Sequence, residues 1–184
     1  MPETLKIDAA HSAIGFSAKH LVVTTVRGQF QDFDATIEIE GEDHTTLKTD
    51  VVIKTASIST NDQRRDGHLR SADFFDSEKY PEMRFVSTGV QKKGDDRYLL
   101  KGDLTIKDVT RTVELEAIVE GKFNDPYGNQ RTGVSLRGEI DREQWGLTWN
   151  QALEAGAVLV GKKIKLEIDV AVLRPLPALA GAAA

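Results

Sequence analysis

The chain has 184 residues, a net charge of −5, a pI near 5.4 and no cysteine. This length suits one domain with a sizeable core and is short for two. The charge balance leaves no electrostatic footprint for nucleic acid, no basic run suggests attachment to an anionic membrane, and the missing cysteines exclude disulfides and thiolate chemistry.

The opening, MPETLKID, has no apolar h-region, and no run approaches the roughly 20 apolar residues of a membrane span. A soluble, cytoplasmic protein without a transmembrane segment is therefore expected. From there the chain alternates. Ile14, Phe16 and Ala18 share one face of a first strand, and His11-Ser12 and His20 fit its start and end. Ala35, Ile37 and Ile39 alternate with polar residues, as do Val51 and Ile53. Residues 84–91 alternate weakly. Tyr98, Leu100, Leu104 and Ile106 share a face, then Val113, Leu115, Ala117 and Val119, then Val134, Leu136 and Ile140. Ile164, Leu166, Ile168, Val170 and Val172 complete the series. Each pattern predicts a strand with one buried and one wet face.

Turn residues separate these runs at Gly41–His44, Lys93–Asp96 and Asn124–Asn129. Short connections predict antiparallel hairpins. The fold class expected is all-β: one up-and-down antiparallel barrel of about eight strands, in preference to a sandwich. The barrel covers 1–174, and the Pro- and Ala-rich tail, 175–184, is expected to be disordered.

One stretch does not alternate. Around Arg65–Pro81, a short helix is predicted to begin near Asp62, capped by Asn61 or Thr60. Asp66 and Arg70 stand four apart, acid first, which suits a surface pair. Ser71 can cap a second turn, Phe74 and Phe75 follow, and Pro81 ends helix formation. The insert reads as a lid or plug. Arg64, Arg65 and Arg70 on it, with His68, could meet a phosphate or carbonyl group, or simply form a solvated face.

An eight-stranded barrel is just wide enough to be filled by its own side chains or to hold one small ligand. Both arrangements give the same alternation, so periodicity leaves the choice open. The histidines match no metal-ligating spacing, and no G-x-S-x-G elbow is present.

Arg65-Asp66-Gly67-His68-Leu69-Arg70-Ser71-Ala72-Asp73-Phe74-Phe75, with Tyr80-Pro81 and Phe85, resembles the signature of the YceI-like family of lipocalin-like polyisoprenoid-binding proteins. Further stretches match in order: Ile7-Asp8 with His11-Ser12, Phe16 and His20; Gly28 with Phe30 and Phe33; Gly102–Ile106 with Val109, Thr110 and Val113; and Asp125-Pro126-Tyr127-Gly128 with Arg131 and Gly133. Together they cover about 7–172. The resemblance implies a barrel whose tunnel holds a long lipid chain, with no cofactor, metal or catalytic residue. Many relatives begin with a secretory signal; the lack of one here favours a cytosolic branch. Trp145 and Trp149 also depart from the family pattern, and either narrow the tunnel or cover its end.

On this reading the tunnel lining is Phe16, Phe30, Ile37, Val51, Ile53, Leu69, Phe74, Phe75, Phe85, Leu104, Ile106, Leu115, Val134, Leu136, Ile140, Trp145, Ile164, Leu166 and Ile168. Head-group contacts would come from Arg64, Arg65, His68 and Arg70. The ligand would be a long-chain isoprenoid, a quinone or a fatty-acyl lipid, bound, stored or transported without chemistry. An enzyme using His11 or His68 on a hydrophobic substrate, and a filled barrel serving as an interaction module, are the alternatives. A homodimer is compatible with the sequence but not required by it.

Overall fold

Alternation does produce strands along nearly the whole chain. The structure, a computed structural model, describes residues 1–178. Its strands are β1 (Glu3–Ile7), β2 (Ala13–His20), β3 (Thr24–Phe30), β4 (Phe33–Glu40), β5 (Asp43–Lys54), β6 (Ile58–Ser59), β7 (Glu82–Lys92), β8 (Arg97–Ile106), β9 (Val109–Asn124), β10 (Asn129–Asp141) and β11 (Val160–Pro175), with one α-helix, α1 (Gln63–Arg70). All pair antiparallel in one sheet, ordered β1-β4-β5-β7-β8-β9-β10-β11-β2-β3-β6, and a β1–β11 pairing closes it.

Three of these pairs are single strands broken by a kink. A 3₁₀ turn at Ala9–His11 bends β1 into β2, residues 31–32 join β3 to β4, and a 3₁₀ turn at Thr55–Ser57 joins β5 to β6. With the five unbroken strands they form a closed eight-stranded barrel. β1 and β6 are too short to show a period, and the polar β3 hides one, so all three escape the sequence reading. At the first kink Ser12 Oγ donates to Asp8 O (2.7 Å) and accepts from Ala171 N (3.0 Å), while His11 lies outside against Asp8. β11 seals the barrel: Asn129↔Pro175 to Asp141↔Lys163 on one edge, Ala13↔Asp169 and Ile7↔Val172 on the other. β11 thus runs to Pro175, and Leu176 N donates to Gly128 O (2.9 Å). The tail expectation for 179–184 lies outside the described residues.

A bulge explains the weak pattern of 84–91. Ser87 pairs with Gly102 and Gly89 with Lys101, leaving Thr88 unpaired. Met83 and Phe85 point inward before the bulge and Val90 after it, so the parity flips. Outside, charges ladder across strands, as in Lys101–Glu114 and Arg137–Asp169. Apolar-in and charged-out is the reverse of a barrel standing in a bilayer.

The insert sits across one end of the barrel and forms part of its rim. Asp62, rather than Asn61 or Thr60, caps α1, accepting from Arg65 N (3.0 Å). Asp66 is not a surface partner of Arg70: it is buried and accepts from Thr60 N (2.8 Å) and Thr60 Oγ1 (2.6 Å). Arg70 donates to Ala56 O and Ile58 O, tying the helix to the second kink. Packing is densest at this end, where Phe30, Ile58, Phe74, Met83, Phe85 and Trp145 form the main core; Leu5, Ile37 and Ile39 form a smaller one at the other.

Candidate functional site

Between the two cores the barrel is hollow. Its inward faces surround a cavity of about 970 Å³, bounded by Ile14 and Phe16 on β2, Val51 and Ile53 on β5, Leu104 and Ile106 on β8, Val134 and Leu136 on β10, and every second residue from Ile164 to Val172 on β11. A barrel filled by its own side chains does not describe this interior. Space for the aromatic walls comes from glycine. A Cβ on Gly28 would lie 2.4 Å from Phe16 Cζ, and one on Gly102 would lie 2.3 Å from Phe85 Cζ, so each ring lies over a neighbouring strand's bare backbone. Phe16 and Phe30 (centroids 5.6 Å) and Phe30 and Phe75 (5.7 Å, edge to face) extend this aromatic wall to the insert.

Polar side chains gather at the two mouths. At the insert mouth, Arg65 donates to Thr60 Oγ1 (2.7 Å) and Thr60 O (3.0 Å), so its guanidinium is committed to the fold. Arg64 is exposed and lines the cavity, and its side chain has neither ion pair nor hydrogen bond among the described residues. His68 Nε2 donates to Asp73 Oδ2 (2.8 Å), and its ring stands edge-on to Trp149 (4.4 Å) and Phe74 (5.2 Å). These contacts fix the imidazole at the rim.

Arg142, also on the cavity wall, is only 4% exposed and has no ion pair among the described residues. It donates instead to Leu147 O (2.6 Å), Trp149 O (3.0 Å), Gly161 O (2.9 Å) and Val160 O (3.3 Å), with Phe74's ring beside it. Burial pushes its pKa down, but a guanidinium stays charged. It pegs the loop 146–159 over the barrel end and so positions Trp149.

The opposite mouth presents His44, Tyr98, Glu42, Lys122 and Arg174. His44 Nδ1 is hydrogen-bonded to Tyr98 Oη (3.0 Å), and burial pushes its pKa down. Lys122 and Arg174 both pair with Glu42, and Lys122's hydrogen bond holds the Glu42 carboxyl below its ordinary value. With Glu3, which also pairs with Arg174 (2.8 Å), this set is balanced in charge.

Of the residues expected on the lining, all but Trp145 face the cavity. Trp145 is buried in the wall, its indole N–H donating to Leu104 O (2.9 Å). Trp149 lies on the cavity instead. Arg64, Arg65 and His68 are at the mouth and Arg70 is not, its donors being spent on the backbone. Sequence reasoning missed Arg142 and the His44–Tyr98 mouth. Tyr98 carried a signal, as the only phenol on its inward face; a peg bonded to backbone carbonyls leaves none. Among the described residues no three His, Asp or Glu side chains converge as for a metal, and no helix is long and apolar enough to cross a membrane.

The sequence model for the YceI-like domain matches residues 5–172. A UPF0312 protein of Staphylococcus aureus (strain USA300) is 39% identical over 161 residues, 87% of this chain and 91% of that protein. Among solved structures, the YCEI protein of Campylobacter jejuni is 32% identical, with a TM-score of 0.73 over 85% of this chain and 89% of its own. BcnA of Burkholderia cenocepacia (TM-score 0.78, 20% identity, 90% and 98% covered) shares the fold. So does a polyisoprenoid binding domain from Saccharophagus degradans (0.66, 15%, 94% and 98%).

Proposed function

The chain belongs to the YceI-like family, and on that premise we propose that it binds a long-chain isoprenoid or similar amphiphile, storing or carrying it without chemistry of its own. The observation that carries this reading is the cavity itself: about 970 Å³, largely apolar along its length, with charged groups gathered at the mouths. At about 0.8 kcal/mol per buried CH₂, a tail of several isoprene units supplies ample gross transfer energy, of which lost freedom takes back a large part. Walls with so few polar groups select mainly by length and shape. The head stays at a mouth, and the unpaired Arg64 favours the insert end.

Native mass spectrometry of freshly purified protein, followed by solvent extraction, tests this. A stoichiometric long-chain species is expected. A clean apo mass that persists after incubation with a polyprenol would refute it.

The His68–Asp73 pair at the rim supports a second reading, an enzyme acting on a hydrophobic substrate. His68→Ala separates the two. A carrier keeps its lipid, and the lipid remains chemically unchanged in wild type and variant alike; an enzyme shows turnover that the substitution removes.

A further inference from the structure

The hairpin between β2 and β3 ends in Leu21-Val22-Val23, which are 45%, 59% and 79% exposed. Leu21 and Val22 hold left-handed backbone (φ 52° and 67°), a conformation costly for a β-branched residue and better served by Asn or Gly. Folding alone gives no reason for three consecutive apolar side chains in water at a strained turn. Val158, 37% exposed, lies on the segment whose Leu159 O accepts from Leu21 N (2.9 Å), and it widens the patch.

The surroundings indicate what covers it. The chain is acidic overall, yet no carboxylate occurs between Asp8 and Asp32. Lys19 and the exposed Arg27 flank the tip, and at the same mouth Arg64 stands free while Asp62 is matched by Arg65 (3.9 Å), leaving the exposed Glu154 on the Val158 segment as an opposing carboxylate. The sequence contains no basic run; the fold gathers these cations from separate segments. At the other end of the barrel Glu42-Asp43 and Asp95-Asp96 are interleaved with Lys92, Lys93, Arg97, Lys122 and Arg174, so neither sign prevails there. An apolar tip in a cationic surround, beside the opening of an apolar cavity, is complementary to an anionic bilayer: apolar side chains enter the headgroup boundary and cations meet lipid phosphates.

We propose that Leu21-Val22-Val23 docks the protein on an anionic membrane surface and brings the insert mouth against the bilayer, so that an amphiphile passes between bilayer and cavity without crossing water. The direction of transfer rests on the lipid-binding reading; the docking does not. None of the three residues lines the cavity, so docking and cargo binding can be separated.

The test is co-flotation of the full chain with vesicles of phosphatidylcholine, alone or mixed equally with phosphatidylglycerol, alongside uptake of a polyprenol delivered from ethanol. Wild type is expected to float with the mixed vesicles, less so in high salt. L21S/V22S/V23S is expected to lose at least tenfold of that partition and R27E several-fold, both with wild-type polyprenol uptake. V22N, which suits the left-handed backbone, should float less while its Tm is unchanged or higher, which rules out unfolding as the cause. Flotation unaffected by the serine substitutions, or no flotation of wild type, as for a tip that serves a protein partner, overturns the docking. Failure of wild type to take up polyprenol while it still floats counts against the cargo reading alone.

Discussion

Lengthening an isoprenoid ligand one unit at a time should tighten binding steadily until the chain fills the barrel, and no further. The cavity measures about 970 Å³. At about 30 Å³ per non-hydrogen atom, the share a water takes in the liquid, it accommodates roughly thirty atoms, or about six five-carbon units. Net ligand efficiency for molecules of this size is about 0.3 kcal/mol per atom, so each unit contributes about 1.5 kcal/mol, roughly tenfold in Kd. A filled tunnel then reaches about −9 kcal/mol, a Kd of a few tenths of a micromolar. The assay is quenching of tryptophan fluorescence by a quencher carried on the head group. Trp149 lines the mouth and Trp145 does not, so the signal should survive Trp145→Phe and vanish with Trp149→Phe. A second perturbation checks the same geometry: Leu166→Trp, half-buried against the void, should shift the plateau to shorter chains while the protein stays folded. Affinity that is flat from two units onward, or still climbing well beyond eight, would refute the tunnel-filling argument.

Gly28→Ala places a methyl group 2.4 Å from Phe16 Cζ; overpacking of this kind costs about 1–3 kcal/mol, and Phe16→Leu in the same chain should recover most of the lost Tm. Arg142→Met strands the carbonyls of Leu147, Trp149 and Gly161, while Val160 O keeps its bond from Asn150 Nδ2 (2.8 Å); each unmet buried acceptor costs about 1–3 kcal/mol, and release of the loop should red-shift Trp149 emission. Asp8 is held at about 2 by hydrogen bonds from Arg131 and His11. A carboxyl depressed on folding stabilises fully above its ordinary value of 3.8, and that contribution is lost as pH falls toward 2. Asp8→Asn should therefore lower Tm at pH 7 and flatten the acid transition between about pH 4 and 2, read by circular dichroism.

The residues that specify strands and their inner faces act locally, and the sequence alone determined these. Side chains two apart share a face, so Ile164, Leu166 and Ile168 had to point the same way wherever the strand lay. The insert was legible because it breaks that period and carries its own cap, although Asp62 took the cap. What the tertiary structure decided depends on the third dimension. Thr88 reverses the parity of β7 because its partner strand lacks a matching residue. Asp66 and Arg70 stand at pairing distance along the helix, but buried Thr60 and the carbonyls of the second kink offered each a drier partner. Trp145 and Trp149 are alike in sequence; the 3₁₀ turn between Arg142 and Trp145 sends the first into the wall, and Arg142 holds the second over the opening. The void itself was beyond reach of any pattern. A filled barrel and a hollow one have the same alternation, and only the radius set by eight closed strands, against the volume of the side chains inside, makes this one hollow.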